Sequence, residues 1–278
     1  MSSVAALLPA WNAAGFIGPT LECLSAQTHA DFRVVVSVDL CDDGTAELCE
    51  AHARRDARFR VVRQSRRMGY VGNCNALLAL ADADHALFAF HDDLLAPDYV
   101  ARLSGLLDER PGAVMAFSDM LLTHADGRRQ HRRLAELDGL DDPVRRGLVM
   151  LSGRCLWWVP NRGVFRLDRA RAIGGLKTHG AGEFSADWPW LFHMSLLGEF
   201  VRLPEVLCHK FYKPGSLSRT WAYTPEQAFE VRCACMRELW DSGLSSEQKM
   251  RIAVPLMRWL AGHRPAGAVA AGDPGQAP

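Results

Sequence analysis

The stretch Ala86-Leu87-Phe88-Ala89-Phe90-His91-Asp92-Asp93 is an apolar run that ends abruptly in two adjacent carboxylates. Such a run predicts a buried strand, and buried parallel strands deliver their C-terminal ends to a ligand crevice. Two neighbouring aspartates repel each other unless a positive charge lies beside them, and a divalent metal carrying a phosphorylated ligand would supply it. An ordinary strand-to-helix turn is the alternative, with Asp93 capping a helix that Pro97 opens.

Strand and helix patterns alternate ahead of this stretch. Apolar or β-branched runs predict strands at 4–8, where Pro9 would stop the strand, and then at 32–38, 59–62 and 86–90. Apolar residues at helical spacing predict amphipathic helices between these strands. Strands and helices that alternate at this spacing along the chain predict βαβ units, and therefore an α/β fold with a doubly wound, mostly parallel sheet.

The whole chain limits the possible functions. Its 278 residues allow one large α/β domain or two closely joined lobes, and its formal net charge of zero argues against nucleic acid as a partner. No apolar run is long enough to span a bilayer, and the first residues lack the basic and apolar regions of a signal peptide. The eight cysteines are scattered without metal-binding spacing, which predicts reduced thiols. We therefore expect a cytoplasmic protein, with peripheral association at the inner face of the membrane still compatible with the sequence.

Side chains suited to a nucleotide follow three of the predicted strands. Pro9-Ala10-Trp11-Asn12 follows the first strand, Asp39 follows the second, and His91-Asp92-Asp93 follows the fourth. Trp11 could stack on a base, and Asp39 could accept hydrogen bonds from a base or ribose, or only from backbone donors in its own turn. The usual glycine-rich motifs for dinucleotides and triphosphates are absent.

These motifs, in this order, resemble those of the family 2 glycosyltransferases with the GT-A fold. The resemblance covers roughly residues 4 to 220, and its later part is carried by Gly69-Tyr70-Val71-Gly72-Asn73-Cys74-Asn75, Ile173-Gly174-Gly175-Leu176, Ser185-Ala186-Asp187-Trp188 and Pro214-Gly215-Ser216-Leu217-Ser218-Arg219. The resemblance implies an inverting transferase that moves a sugar from a UDP- or GDP-sugar to an acceptor hydroxyl, usually with Mg²⁺ or Mn²⁺. Its setting would be glycan, glycolipid or other glycoconjugate biosynthesis, including that of polysaccharides.

The resemblance also implies roles for individual residues. The donor site would comprise Pro9, Ala10, Trp11, Asn12, Asp39, Asn75, His91, Asp92, Asp93, Lys213 and Arg219. Asp92 would lie nearest the metal and diphosphate, with Asp93 supporting it, so both are metal-ligand candidates. Asp187 matches the second acidic residue of the family's Glu-Asp pair and would be the general base, because a sugar hydroxyl is a poor nucleophile until it loses its proton. The alternative is that Asp187 only caps a helix.

Three positions depart from the family pattern. Phe90 replaces an aspartate that commonly opens the acidic motif, Ala186 replaces the first member of the Glu-Asp pair, and Lys213 replaces a histidine that binds metal in many members. A lysine ammonium could neutralise the diphosphate directly. We therefore expect weaker metal dependence than in typical relatives, although Mg²⁺ or Mn²⁺ remains the expected cofactor, with His91 or His209 as a further ligand.

Aromatic and basic residues in the second half bear on the acceptor. Trp157, Trp158 and Trp188 are acceptor candidates because aromatic faces suit sugar rings, although the two adjacent tryptophans could equally lie in a core between lobes. The basic stretch 127–133 could meet an anionic acceptor or be a solvated loop.

The predicted organisation has four parts. A donor-binding half covers 1–112, an acceptor and catalytic half covers 113–222, a helical extension covers 223–262, and a disordered tail covers 263–278. The two helices of the extension could rest on a membrane or a partner, or pack back on the catalytic domain.

Two other functions fit the same strand-end carboxylates. A nucleotidyltransferase is one, although it would carry a glycine-rich, cationic loop where this chain has 9–12. A catalytically silent protein that binds nucleotide sugars on the same scaffold is the other, because of the departures at Phe90, Ala186 and Lys213.

Overall fold

A computed structural model describes residues 1–91, 93–152, 155–212 and 223–263 of the chain. Its first half contains the parallel strands that the sequence predicts: β1 (Val4–Ala10), β2 (Phe32–Val38), β3 (Phe59–Arg63) and β4 (His85–Phe88), in the spatial order β3-β2-β1-β4. The connecting helices are α1 (Gly18–Ser25), α2 (Thr45–Ala53) and α3 (Gly69–Leu80). The α/β class is therefore confirmed.

Pro9 does not end the first strand, contrary to expectation. β1 continues to Ala10 in register with β2, whereas its pairing with β4 ends at Leu7 and Phe88. Proline has no N–H to donate, so it can end the ladder on one side of a strand while the other side continues.

The second half of the sheet is mixed. Its strands are β5 (Asp93–Leu95), β6 (Ala113–Thr123), β7 (Arg129–Arg132), β8 (Val164–Arg166) and β9 (Glu199–Phe211), and the main order is β3-β2-β1-β4-β8-β6-β9-β5 with β7 paired to β6. β6 and β9 run parallel, whereas β8 is antiparallel to β4 and β6, and β5 and β7 are antiparallel to their neighbours. The whole sheet is therefore mixed, and its parallel pairs are those among β1 to β4 and the pair β6 and β9.

Hydrophobic cores lie on both faces of the sheet. The side chains of β1 alternate between them: Ala5 and Leu7 belong to one core, and Ala6 and Leu8 to the other. This two-sided burial explains why the strand reads as a continuous apolar run. The remaining helices are α4 (Tyr99–Glu109), α5 (Pro143–Leu151), α6 (Leu167–Ala172), α7 (Asp187–Leu197), α8 (Pro225–Asp241) and α9 (Ser246–Gly262).

The two C-terminal helices pack back on the domain, as one of the two alternatives predicts. Leu239 of α8 and Ile252 and Leu256 of α9 belong to the larger core. Each helix begins with a capping box, from Thr224 and Ser245 respectively, which fixes its start. Among the described residues no helix has the length and apolar character needed to cross a membrane. Apart from His263, the predicted tail lies outside the described residues.

Candidate functional site

The carboxyl ends of β1, β2 and β4 lie at one edge of the sheet because these strands are parallel. The described donor candidates at that edge are Pro9, Ala10, Trp11, Asn12, Asp39, His91 and Asp93. Trp11 is 42% exposed and Asn12 has a left-handed backbone with φ of 47°, so the chain turns sharply where it leaves β1. The ring of His91 lies 4.8 Å from that of Phe16. Asp92, Lys213 and Arg219 lie outside the described residues.

Asp39 connects the end of β2 to the start of α3. Its buried carboxylate accepts hydrogen bonds from the backbone N–H groups of Leu40, Met68 and Gly69 at 2.9, 2.7 and 2.9 Å. It also pairs with the guanidinium of Arg67, which lies 3.9 Å from the centre of the Trp11 ring. Both sequence interpretations of Asp39 thus remain open, since it satisfies backbone donors and lies beside Trp11. Arg67 was not predicted, because nothing local distinguishes it from its neighbour Arg66.

Asn75 contacts the chain rather than open solvent. Its Nδ2 donates to the carbonyl oxygen of Leu176 at 2.8 Å, and the N–H of Leu176 donates to its Oδ1 at 2.9 Å. The neighbouring Gly175 has φ of +69°, and a Cβ there would collide with the amide oxygen of Asn75. These two hydrogen bonds hold the Gly174-Gly175 turn against α3, so both the nitrogen and the oxygen of the Asn75 amide are used in the structure of the protein.

Asp93 is the first residue of β5 and is only 4% exposed. Its carboxylate accepts from Arg162 Nε at 2.7 Å and lies 3.5 Å from Lys210 Nζ. The alternative in which Asp93 caps a helix opened by Pro97 is wrong, because α4 begins at Tyr99 with Asp98 at its N-cap.

Phe90, the first departure from the family pattern, packs against this ion pair. The guanidinium carbon of Arg162 lies 4.8 Å from the centre of its ring. Asp93 therefore holds a buried cation at the strand end, and the aromatic face of Phe90 stabilises the same cation.

Asp187 begins α7 and is buried. Asn161 Nδ2 donates to its Oδ2 at 2.7 Å, whereas its Oδ1 is buried and has no hydrogen-bond partner among the described residues. Burial raises the pKa of Asp187 from its usual 3.8 to about 6, against the opposing effects of the Arg162 charge, its own backbone N–H, Asn161 and, most weakly, the nearby Tyr70 hydroxyl. No side chain caps α7, so the capping alternative is not supported. A buried carboxylate with one unpartnered oxygen and a raised pKa is suited to taking up a proton near neutral pH.

Glu183 connects the loop before Asp187 to the start of α3. Its carboxylate accepts from the N–H groups of Tyr70 and Val71, at 3.1 and 2.9 Å, in the first turn of α3. Negative charge at a helix N-terminus is stabilising. Asp39 accepts from the residues at the start of the same helix, so the carboxylates of Asp39 and Glu183 both bind the N-terminus of α3. Glu183 was missed because its partners lie more than 100 positions away in the sequence.

The three tryptophan candidates have different surroundings. Trp157 stacks on Trp188 with ring centres 5.5 Å apart and planes 10° apart, and Trp188 Nε1 donates to the carbonyl oxygen of Met150 at 2.9 Å. Trp158 packs against both hydrophobic cores. Trp157 and Trp188 thus form a stacked aromatic pair, of which Trp188 directly follows Asp187 in the chain, and Trp158 is part of the hydrophobic packing.

The described residues do not by themselves fit a metal ion. Within 1–91, 93–152, 155–212 and 223–263, no three His, Cys, Asp or Glu side chains lie close enough together to hold one. Asp93, one of the two predicted ligands, already pairs with Arg162 and Lys210. His209 Nε2 lies 3.0 Å from the Thr123 hydroxyl. A metal at this edge would therefore depend on Asp92, outside the described residues.

Comparisons of the sequence point to glycosyltransferases. The family model described as Glycosyl transferase family 2 matches residues 6–158. "Glycosyltransferase GlyG" of Streptococcus pneumoniae serotype 4 is 20% identical over 124 residues, which is 45% of this chain and 41% of that protein. "Uncharacterized glycosyltransferase EpsJ" of Bacillus subtilis is 34% identical over 62 residues, 22% of this chain and 18% of that protein. The matched stretches thus span less than half of these relatives.

Comparisons of the structure confirm the GT-A fold. S. aureus TarS 1–349, solved in complex with UDP-GlcNAc, matches with a TM-score of 0.72 and 17% identity, over 93% of this chain and 73% of that chain. The mannosyltransferase PcManGT from Pyrobaculum calidifontis, solved with GDP-Man and Mn²⁺, matches with a TM-score of 0.62 and 16% identity, over 93% and 70% of the two chains.

Proposed function

This chain belongs to glycosyl transferase family 2, and on that premise we propose that it moves a sugar from a UDP- or GDP-sugar to an acceptor hydroxyl with inversion, with Asp187 as general base. The observation that carries the proposal is the Asp187 carboxylate, with one oxygen held by Asn161 and the other buried without a partner among the described residues. A position within the cell and a role in polysaccharide or glycolipid synthesis stay predictions.

The proposed reaction is a single displacement. Asp187 takes the proton of the acceptor hydroxyl as its oxygen attacks the anomeric carbon, and the bond from that carbon to the diphosphate oxygen breaks with both electrons leaving on the nucleoside diphosphate. Attack from the face opposite the leaving group inverts the anomeric centre. Asn161 holds the carboxylate in one orientation, which favours proton transfer at the other oxygen.

The donor would lie along the strand-end edge, with its base near Trp11 and Asp39. Uracil and guanine both present N–H donors that a carboxylate can accept, which agrees with a UDP- or GDP-sugar. In this structure the guanidinium of Arg67 lies over the Trp11 ring and pairs with Asp39, so a base that stacks there has to displace it. The diphosphate would then extend toward the acidic motif, where His91 and, outside the described residues, Asp92, Lys213 and Arg219 remain the proposed contacts.

Removal of divalent metal by EDTA should lower turnover without abolishing it. Arg162 and Lys210 place buried positive charge at the strand end beside Asp93, and a cation near the diphosphate stabilises the leaving group. Turnover measured after EDTA treatment, with and without added Mg²⁺ or Mn²⁺, checks this. Activity that EDTA abolishes and only metal restores would contradict it.

The pH profile of kcat/KM should fall on the acid side with a midpoint near pH 6. The pKa of Asp187 is raised to about 6, so the base is progressively protonated and inactive as the pH falls through that value. Initial rates between pH 4.5 and 8.5 would locate the midpoint, with thermal unfolding at each pH as a check on folding. A flat profile over this range is the opposing result.

A panel of nucleotide sugars tests the function as a whole. Release of UDP or GDP from one of the donors in the presence of acceptor is the expected result, and NMR of the product would report the anomeric configuration. Donor binding without release would favour the silent binding protein, and release of pyrophosphate from a nucleoside triphosphate would favour the nucleotidyltransferase.

A further inference from the structure

Five planar groups lie in contact in a cluster to which α7, α8 and α9 each contribute a side chain. Arg232 of α8 lies between Trp188 of α7 and Trp259 of α9, with its guanidinium carbon 4.9 and 3.8 Å from the two ring centres. Trp157 stacks on Trp188, and His263 stacks on Trp259 with ring centres 4.1 Å apart. The guanidinium is thus enclosed by aromatic surface from two helices, one of which begins at Asp187.

Arg232 forms no ion pair with any carboxylate within residues 1–91, 93–152, 155–212 and 223–263. The residue is 7% exposed, and its single hydrogen bond runs from Nη1 to the carbonyl oxygen of Ala228 at 3.4 Å. No carboxylate of these residues lies within ion-pairing distance. Its Nε and Nη2 make no hydrogen bond within these residues.

Other buried arginines of this chain are satisfied by the protein. Arg146 donates to three backbone carbonyl oxygens at 2.6, 2.7 and 3.0 Å, and Arg162 donates to Asp93 at 2.7 Å and to the carbonyl oxygen of Trp158 at 2.9 Å. A buried charge without such partners is costly, and contact with aromatic rings offsets only part of that cost. Arg232 is therefore placed for a partner that enters from solvent.

We infer that Arg232, flanked by Trp188 and Trp259, binds an anionic group, a phosphate or a carboxylate, on the acceptor. A guanidinium presents paired N–H donors that match such oxyanions, and the aromatic walls strengthen the interaction by excluding water. Trp188 belongs to the helix that Asp187 begins, so the anion would lie against the same helix as the proposed base. This inference rests on the proposed function for the identity of the ligand as acceptor.

The site differs from the one that the sequence suggested for an anionic acceptor. Most of the basic stretch 127–133 is exposed to solvent, on and beside the edge strand β7, and Arg128 there pairs with Asp126 at 2.6 Å. An exposed cation of that kind is hydrated and binds anions weakly. Burial between aromatic rings distinguishes Arg232 from it.

The test uses Arg232→Met, which keeps an unbranched side chain between the rings and removes the charge. Arg237→Met, at an exposed position of the same helix, is the matched control. Binding of inorganic phosphate at constant ionic strength, followed by tryptophan fluorescence and thermal unfolding, should weaken about 10-fold or more in Arg232→Met and stay unchanged in Arg237→Met. Equal phosphate binding by the wild type, Arg232→Met and Arg237→Met would overturn the inference.

Transfer assays with glucose, glucose 6-phosphate and glucuronate identify the anion. We expect kcat/KM for one charged acceptor to exceed that for glucose by about 10-fold or more, and this ratio to fall toward one in Arg232→Met. The preferred acceptor tells phosphate from carboxylate. A ratio that Arg232→Met leaves unchanged would overturn the inference while leaving the proposed function standing.

Two further results distinguish a failure of the anion site from a failure of the proposed function. If no nucleotide sugar is turned over but phosphate binding still depends on Arg232, the proposed function fails and the anion site remains. If Arg232→Met does not fold, Arg232→Lys replaces it: the charge stays but the paired donors are lost, so phosphate binding should still weaken. Unchanged phosphate binding in Arg232→Lys would then count against the site.

Discussion

Asp187→Asn is expected to lower kcat by about 100-fold or more, the usual contribution of a general base, while binding of nucleotide sugar stays nearly unchanged. Asparagine has almost the same shape as aspartate but cannot accept the proton of the acceptor hydroxyl. Steady-state release of UDP or GDP gives the rate, and thermal stabilisation by the nucleoside diphosphate reports donor binding. Turnover retained in the variant would remove Asp187 from its proposed role.

The same variant should be more stable than the wild type at pH 8. Burial raises the pKa of Asp187 to about 6, so the folded protein holds the ionised form at a cost. One pKa unit corresponds to about 1.4 kcal/mol, so the penalty is on the order of 3 kcal/mol, and asparagine removes it.

The sign of this effect gives a second check. As the pH falls through about 6, the wild-type carboxyl becomes protonated in the folded protein, so the advantage of the variant should shrink. The advantage is lost completely only below the usual pKa of 3.8, where the unfolded chain is protonated too. Thermal unfolding at pH 8 and pH 4.5 measures the difference. Asp168→Asn, at an exposed carboxylate in the first turn of α6, is the control and should leave the rate unchanged and lower the stability by no more than about 1 kcal/mol. An Asp187→Asn protein that is less stable at both pH values would contradict the burial argument.

Arg162→Met is expected to lower the free energy of unfolding by about 3–5 kcal/mol, the usual effect of removing one partner from a buried ion pair. Asp93 would then stay buried with Lys210 as its remaining charged partner, 3.5 Å away. The positive charge of Arg162 also lowers the pKa of Asp187, so its removal should move the midpoint of the kcat/KM profile above about pH 6. Urea unfolding and the pH profile measure the two effects separately.

Two controls distinguish this pair from ordinary surface charges. Arg102 pairs with Glu205 at an exposed position, and Arg102→Met should cost less than about 1 kcal/mol. The double variant Arg162→Met, Asp93→Asn should be less destabilised than the sum of its single changes, because neither change then leaves a buried charge alone. An Arg162→Met protein as stable as Arg102→Met would show that the pair contributes little.

Much of the first half of the fold could be predicted from the sequence. Apolar strands alternate with amphipathic helices, and each type of element has its own hydrophobic periodicity over a few residues. The parallel direction of β1 to β4 follows from the short helical crossovers between them. Asp39 could be singled out because it follows a predicted strand, and Asp187 because it matches the second acidic residue of the Glu-Asp pair in the family that the sequence resembles. The ends of the strands are less predictable from the sequence. Pro9 predicts the end of the first strand, whereas β1 continues through it to Ala10.

The contacts that define the site could not be predicted in the same way. Arg162 is 69 positions from Asp93, and Glu183 is more than 100 positions from the helix start that it binds. No periodic pattern relates such residues. The sequence likewise gives no sign that Arg232 differs from other polar residues of an amphipathic helix. Its contacts with tryptophans of two other helices are visible only in the structure.

The sequence by itself therefore determined the parallel half of the sheet, the family and the side chains available at the strand ends, because these follow from local hydrogen-bonding periods and short motifs. Only the tertiary structure decided what those side chains do. Asp93 holds Arg162, whereas Asp187 keeps one oxygen without a partner among the described residues. The physical reason is that the energy of a charge depends on its burial and its neighbours, and both are supplied by segments far apart in the chain.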